Sequence, residues 1–134
     1  MLYIDDNGNI KVNRGDTFEV PLFVDVCSNI LYPVRFPWKR GDTISIHVME
    51  PYKPFELYLL GKEFTCDDLN ENEDIIVRFD HEDTNFLIPG TYYYEAKLIR
   101  PWSPDQDPRG EATPEDERHD SYITIIPRRK FIIM

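Results

Sequence analysis

An all-β domain of about seven or eight short strands is the fold class this chain predicts, and three observations point to it. The tetrapeptide Arg-Gly-Asp-Thr occurs twice, at residues 14–17 and 40–43, and each copy opens a run that alternates apolar and polar residues. Eleven prolines, spread from Pro21 to Pro127, leave little room for helix. Hydrophobic content of 41%, with 13% aromatics, supplies the core of one domain covering residues 1–134.

The elements follow in order. Tyr3-Ile4 and Ile10-Lys11-Val12 flank an Asn7-Gly8 pair, so a short opening hairpin is expected. In Arg14-Gly15-Asp16-Thr17 the glycine reaches φ > 0 without steric cost, and the aspartate can accept from backbone N–H groups two residues on. That turn hands the chain to a strand at 17–26. An aromatic loop with Tyr32, Phe36 and Trp38 comes next, then the second such turn and a strand at 43–49. Residues 55–60 read as a further strand ending at Gly61, residues 67–74 as an acidic loop, and the β-branched run 75–79 as a strand.

The most specific local signal is Asp83-Thr84, Leu87, Pro89-Gly90 and Tyr92. A leucine closes one strand, Pro-Gly turns, and a tyrosine starts the next. Immunoglobulin-like sandwiches place a tyrosine at this corner, its hydroxyl bonded to upstream backbone, and Tyr92 is the candidate, with Asp83, Leu87 and Gly90 completing the corner. Beyond it Tyr92, Tyr94, Ala96 and Leu98 share one face, and Tyr93, Glu95 and Lys97 the other. This strand ends at Ile99. Pro101 to Asp120, with four prolines and seven acids, is a long acidic loop. Residues 121–126 form the closing strand, interrupted by Pro127, and the chain finishes basic and then apolar. The expected architecture is an Ig-like antiparallel sandwich of two sheets.

The net charge of −10 is concentrated. Residues 63–85 hold nine acids against Arg78, and 103–120 hold seven against Arg109 and Arg118. These runs read as solvated loops, and such a surface repels duplex phosphate, so no nucleic-acid partner is expected. No stretch approaches ~20 apolar residues, and the first residues lack a signal-peptide pattern, so neither a membrane nor secretion is expected. Cys27 and Cys66 are expected as thiols of a reducing compartment, with a disulfide between them left open.

Catalytic signatures are missing. His47, His81 and His119 belong to no nucleophile, zinc or acid–base motif, and His47, in an alternating strand, is expected to face solvent. The chain therefore reads as a non-enzyme without a cofactor. Asp105, Asp107, Gly110 and Asp116 have part of a calcium-loop spacing. Arg109 occupies a ligand position, Pro108 stiffens the loop and no helices flank it, so a solvated loop without metal is expected. The two Arg-Gly-Asp tripeptides are explained as turns rather than as adhesion motifs.

Two readings fit the apolar segment Phe131–Met134: pairing within its own domain, or addition to the sheet of a neighbouring subunit. On the second, Phe131 and Ile132 make apolar contact with a partner, Trp102 is a further anchor, and Arg128 and Arg129 pair with acidic surface. Removing residues 128–134 would then abolish assembly and leave the monomer folded.

The order of these pieces resembles a phage family. A Gly-Asp-Thr strand start leads to a strand ending near Lys62-Glu63-Phe64, then to an acidic loop, a strand, the Asp83-Thr84, Leu87, Gly90, Tyr92, Tyr94-Glu95 corner, and finally to Tyr122-Ile123-Thr124-Ile125-Ile126 with Phe131-Ile132-Ile133. Over most of residues 10–133 this is similar to the N-terminal Ig-like domain of phage baseplate upper proteins and related small virion proteins. The resemblance implies a non-enzymatic, multi-copy or homo-oligomeric module, made in the host bacterial cytoplasm. It would dock with other virion proteins in the baseplate, tail or capsid through its loops and terminal strand. Larger members continue into a helical or fibre segment where this sequence reaches Met134, and the acidic 103–120 insertion has no counterpart. An alternative from the residues alone is a carbohydrate-binding or adhesion module, with Tyr32, Trp38, Tyr52 and Tyr58 as an aromatic platform.

Overall fold

Residues 2–22, 40–66 and 75–134 are described in the computed structural model of the chain. Eight strands form among them: β1 (Tyr3–Ile4), β2 (Ile10–Val12), β3 (Phe18–Leu22), β4 (Thr43–Met49), β5 (Leu60–Thr65), β6 (Ile75–Phe79), β7 (Gly90–Arg100) and β8 (Ser121–Ile133). A six-stranded sheet runs β1-β2-β8-β7-β4-β5, and β3 pairs with β6 in a second, small sheet. The fold is all-β and sandwich-like. One neighbour relation departs from the all-antiparallel expectation: β2 pairs with β8 in parallel, Ile10 opposite Phe131 and Val12 opposite Ile133.

The two sheets meet through rings. Phe18 of β3 stacks on Phe79 of β6 with centroids 4.8 Å apart, and Phe131 of β8 sits 6.2 and 5.9 Å from them. Tyr94 of β7 meets Phe131 edge-on. Around this cluster the inward residues Ile44, Ile46 and Val48 of β4 and Ala96 and Leu98 of β7 are fully buried, as the alternation on both strands predicts. Small Ala96 leaves room between larger neighbours.

The two Arg-Gly-Asp-Thr turns adopt the expected positive φ, +80° at Gly15 and +93° at Gly41. They are anchored differently. The first docks on a short helix, α1 (His81–Asn85): the Gly15 amide donates to the Thr84 hydroxyl, and Arg14 Nε donates to the Asn85 carbonyl. In the second, the Asp42 carboxylate receives both Nε and a terminal nitrogen of Arg100 at 3.0 and 2.8 Å, and the Asp42 carbonyl accepts the Cys66 amide. Asp42 thus ties β4 to β7 by a partly buried ion pair.

Three expectations are corrected. Residues 55–59 are turn rather than strand, and β5 starts at Leu60, with Gly61 inside it. The segment before Leu87 is α1, not a strand; Asp83 holds its start by accepting the Asp80 amide at 2.7 Å and Lys62 Nζ at 2.7 Å. Pro127 does not interrupt the last strand. Between Tyr94 and Ala96 of β7 the partner register on β8 advances from Arg129 to Ile126, and by Lys97 it has reached Thr124. These two bulges break the ladder where proline has no N–H to give, and together they return Ile123 to the same face as Phe131. The last part of the strand expected at 17–26 (residues 23–26), the aromatic loop after it with Cys27, Tyr32, Phe36 and Trp38, and the acidic loop at 67–74 lie outside the described residues.

The tyrosine half of the expected corner forms, although a helix rather than a strand leads into it. Leu87 is buried, β7 starts at Gly90, and the Tyr92 hydroxyl donates to the Ile88 carbonyl at 2.7 Å. Replacing Tyr92 by phenylalanine removes that bond and keeps the ring. Thermal unfolding should fall by about 4 °C, corresponding to about 1 kcal/mol; an unchanged midpoint would show that the bond adds nothing.

Candidate functional site

The residues expected to contact a partner divide sharply in the structure. Phe131 is completely buried and lies at the centre of the domain's own ring cluster, which corrects its assignment to a partner surface. Residues 130–133 pair with β7 on one side and, from Phe131, with β2 on the other, so the terminal strand is interior to the sheet. Of the two readings, pairing within the domain is the one adopted. Arg128 donates to the Lys53 carbonyl at 2.6 Å and lies 3.6 Å from Glu95. Arg129 lies against Gly8, in register with Tyr94. Ile132 is half-buried, facing the Lys11 position of β2.

Trp102 is used inside its own loop. Two 3-10 turns, Gly110–Ala112 and Glu115–Glu117, fold residues 101–120 around Asp107. Trp102 Nε1 and the Thr113 hydroxyl donate to Asp107 Oδ2 at 2.9 and 2.6 Å, and the Arg109 amide donates to Oδ1 at 2.9 Å. Arg118 lies 4.3 Å from the Trp102 ring and donates to the Thr113 carbonyl. The calcium-loop spacing is thus answered by an internal hub, with both Asp107 oxygens accepting hydrogen bonds. Among the described residues no group of three or more His, Cys, Asp or Glu is placed to hold a metal ion.

Thr113, Trp102 and the Arg109 amide together hold the Asp107 carboxyl down at about 2, from an ordinary 3.8. Because the folded value lies below the unfolded one, the carboxylate's contribution is complete above 3.8 and is lost as pH falls toward about 2. In a Trp38→Phe background, Trp102 emission should shift to the red across that interval, and Asp107→Asn should weaken the hub already at neutral pH. An emission flat from about pH 5 to about pH 1.5 would contradict this hub.

A further concavity lies elsewhere, on the outer face of the large sheet. Its volume is about 520 Å³. The floor comes from Ser45 of β4, Glu63 of β5, Lys97 of β7 and Tyr122 of β8, and the wall from Phe55 and Tyr58 of the turn segment before β5. Cross-strand register explains the floor: Ser45 faces Glu63 on one side and Lys97 on the other, and Ile99 faces Tyr122.

His47 belongs to this wall, which corrects the expectation that it faces solvent. It is only 8% exposed, with the Phe55 and Tyr58 rings both at 3.9 Å. Its Nδ1 lies 2.8 Å from the Phe55 carbonyl, which can only accept, so Nδ1 carries a proton; Nε2 bonds the Ser45 hydroxyl at 3.0 Å. Alternation placed His47 on the outer face correctly. What it could not reveal is that residues 55–58 cover that face. Gly61 permits the cover, since a Cβ there would stand 2.8 Å from Tyr58 Cε2 and 3.3 Å from His47 Cδ2. Of the proposed aromatic platform, Tyr58 lines this groove, and Tyr52 stands fully exposed at φ +66°.

Comparison of the chain with protein-family models, with curated proteins and with solved structures returns no match. None of the described helices is long and apolar enough to cross a membrane.

Proposed function

We propose that the chain is a non-enzymatic structural module of a phage virion, an Ig-like sandwich that acts as an adaptor or decoration in the baseplate, tail or capsid. The observation that carries this reading is the corner. The most specific motif of the resemblance, Asp83 to Tyr92, is supported by a real tyrosine bond to the Ile88 carbonyl and by Asp83 anchoring α1. A two-sheet body whose long loop is bonded around Asp107 suits a part that is copied many times and docks to other virion proteins.

Docking in this reading does not use the terminal strand. Next to the corner, Phe86 and Ile88 are 56% and 74% exposed, and they are the apolar contacts such a module offers to a neighbouring virion protein. The test is quantitative peptide mass spectrometry of density-purified particles from cells that produce the chain together with its phage. The reading expects the chain in fixed, multi-copy proportion to the capsid protein. It also expects the Phe86→Asp, Ile88→Asp double variant to be depleted from particles while its monomer stays folded. Particles free of the wild-type chain would overturn the assignment.

A further inference from the structure

We propose that the outer-face groove is a binding site for a neutral saccharide. This goes beyond the structural role above and stands without it. In a sandwich of this size the outward face of a sheet is ordinarily solvated, and its side chains are mobile. Here the outward residues of β4 are sequestered, Ser45 at 1% and His47 at 8% exposure, while two tyrosines beside them remain open, Tyr58 at 49% and Tyr122 at 66%. The cover therefore stops part-way, leaving a hollow of about 520 Å³, within the range of small-ligand sites.

Tyr58 is fixed in place before any ligand arrives. Its ring rests on His47, which is itself clamped by Phe55 and bonded through both ring nitrogens, and Gly61 removes the side chain that would lift it. Such preorganisation lowers the ordering cost of binding. Tyr122 lies on β8 and Glu63 on β5, three strand spacings apart, on the order of 14 Å.

The chemistry of the floor selects the class. Lys97 is held 4.8 Å from the Phe55 ring and 3.8 Å from Glu95, and Glu63 and Glu56 border the same hollow. Donor and acceptor thus stand side by side, the pairing a vicinal diol answers with both of its hydroxyls. Two carboxylates against one ammonium in the lining disfavour a phosphate or an anionic sugar. A purely apolar ligand would leave Lys97 and Glu63 desolvated without a partner of its own to offer. Tyr58 and Tyr122 both line the hollow, and aromatic rings suit the C–H face of a sugar.

The test is a glycan array carrying neutral and acidic oligosaccharides, probed with the full chain and with two variants. Tyr122→Ala removes an exposed ring and should leave the fold intact; Tyr122→Phe keeps the ring. The proposal expects neutral glycans to be retained, Tyr122→Ala to weaken them about ten-fold or more, and Tyr122→Phe to preserve most of the binding. No retained glycan, retention of acidic glycans alone, or neutral binding that survives Tyr122→Ala would each overturn it. A positive result with particles that lack the chain would sink the virion role and leave this site standing.

Discussion

Replacing Phe131 by alanine should lower the unfolding free energy by about 3–5 kcal/mol, a large part of the about 5–15 kcal/mol that holds a domain of this size. The ring is fully buried and touches both sheets through Phe18, Phe79 and Tyr94. Little around it can collapse into the space, because its neighbours are themselves rigid rings and β-branched chains. Removing residues 128–134 should go further and leave no folded monomer, since it deletes the strand between β2 and the start of β7. This reverses the expectation that truncation would spare the fold and abolish only assembly. Ile132→Ala is the control. That side chain is half-buried on the other face, and its loss should cost about 1 kcal/mol or less. Urea unfolding of the three proteins decides it. A truncated chain that unfolds cooperatively at the wild-type midpoint would refute the assignment of Phe131 to the core.

The second large effect is expected at Asp42. Asp42→Ala takes the carboxylate from the Arg100 guanidinium, whose side chain is only 16% exposed, and from a residue that is itself 2% exposed. Loss of one partner of such a pair costs about 3 kcal/mol, because the remaining guanidinium loses this carboxylate and the two hydrogen bonds to it together. Asp42→Asn keeps the shape and one acceptor, so it should fall between alanine and wild type. Asp16→Ala, in the turn of identical sequence, should cost clearly less, since that turn is held by α1 through Gly15 and Arg14. Equal losses at the two aspartates would contradict the different anchoring described here.

Much of the fold was legible from residue order. Both Arg-Gly-Asp-Thr turns, the Asn7-Gly8 hairpin, β4, β6 and the two faces of β7 appear where alternation and turn chemistry put them, and the tyrosine corner closes on Ile88. The failures share a cause: a local pattern names a face and a propensity, whereas tertiary contact decides what meets it. Residues 55–59 have strand-forming rings and leucines, yet they cover the outer face, and β5 is built from Leu60-Gly61-Lys62-Glu63-Phe64-Thr65. Its inward residue Lys62, opposite Ile46, is charged. The charge is answered by Asp83 at 2.7 Å, a contact invisible along the chain.

The candidate site was less legible than the fold. Tyr58 was singled out, but its groove needs Ser45, His47, Glu63, Lys97 and Tyr122 from four strands, which only the register assembles. A cue was present in Gly61, an isolated glycine within a strand, which often marks close approach of another group. Trp102 reads from sequence as a partner anchor, because it stands at the mouth of a long loop and tryptophan is frequent at interface hot spots. The loop instead has its own polar centre, and the spacing of Trp102, Asp107 and Thr113 is its only trace in the sequence.

Hydrogen exchange along β8 tests the central structural claim most directly, namely that the apolar terminal stretch belongs to the domain's interior and that contact with other molecules occurs elsewhere. Amides in residues 130–133 should exchange as slowly as those of Ile46 and Leu98, by opening of the whole domain. Exchange of 130–133 within seconds, with Ile46 and Leu98 still protected, would show a detached strand available to a neighbour and would contradict the account.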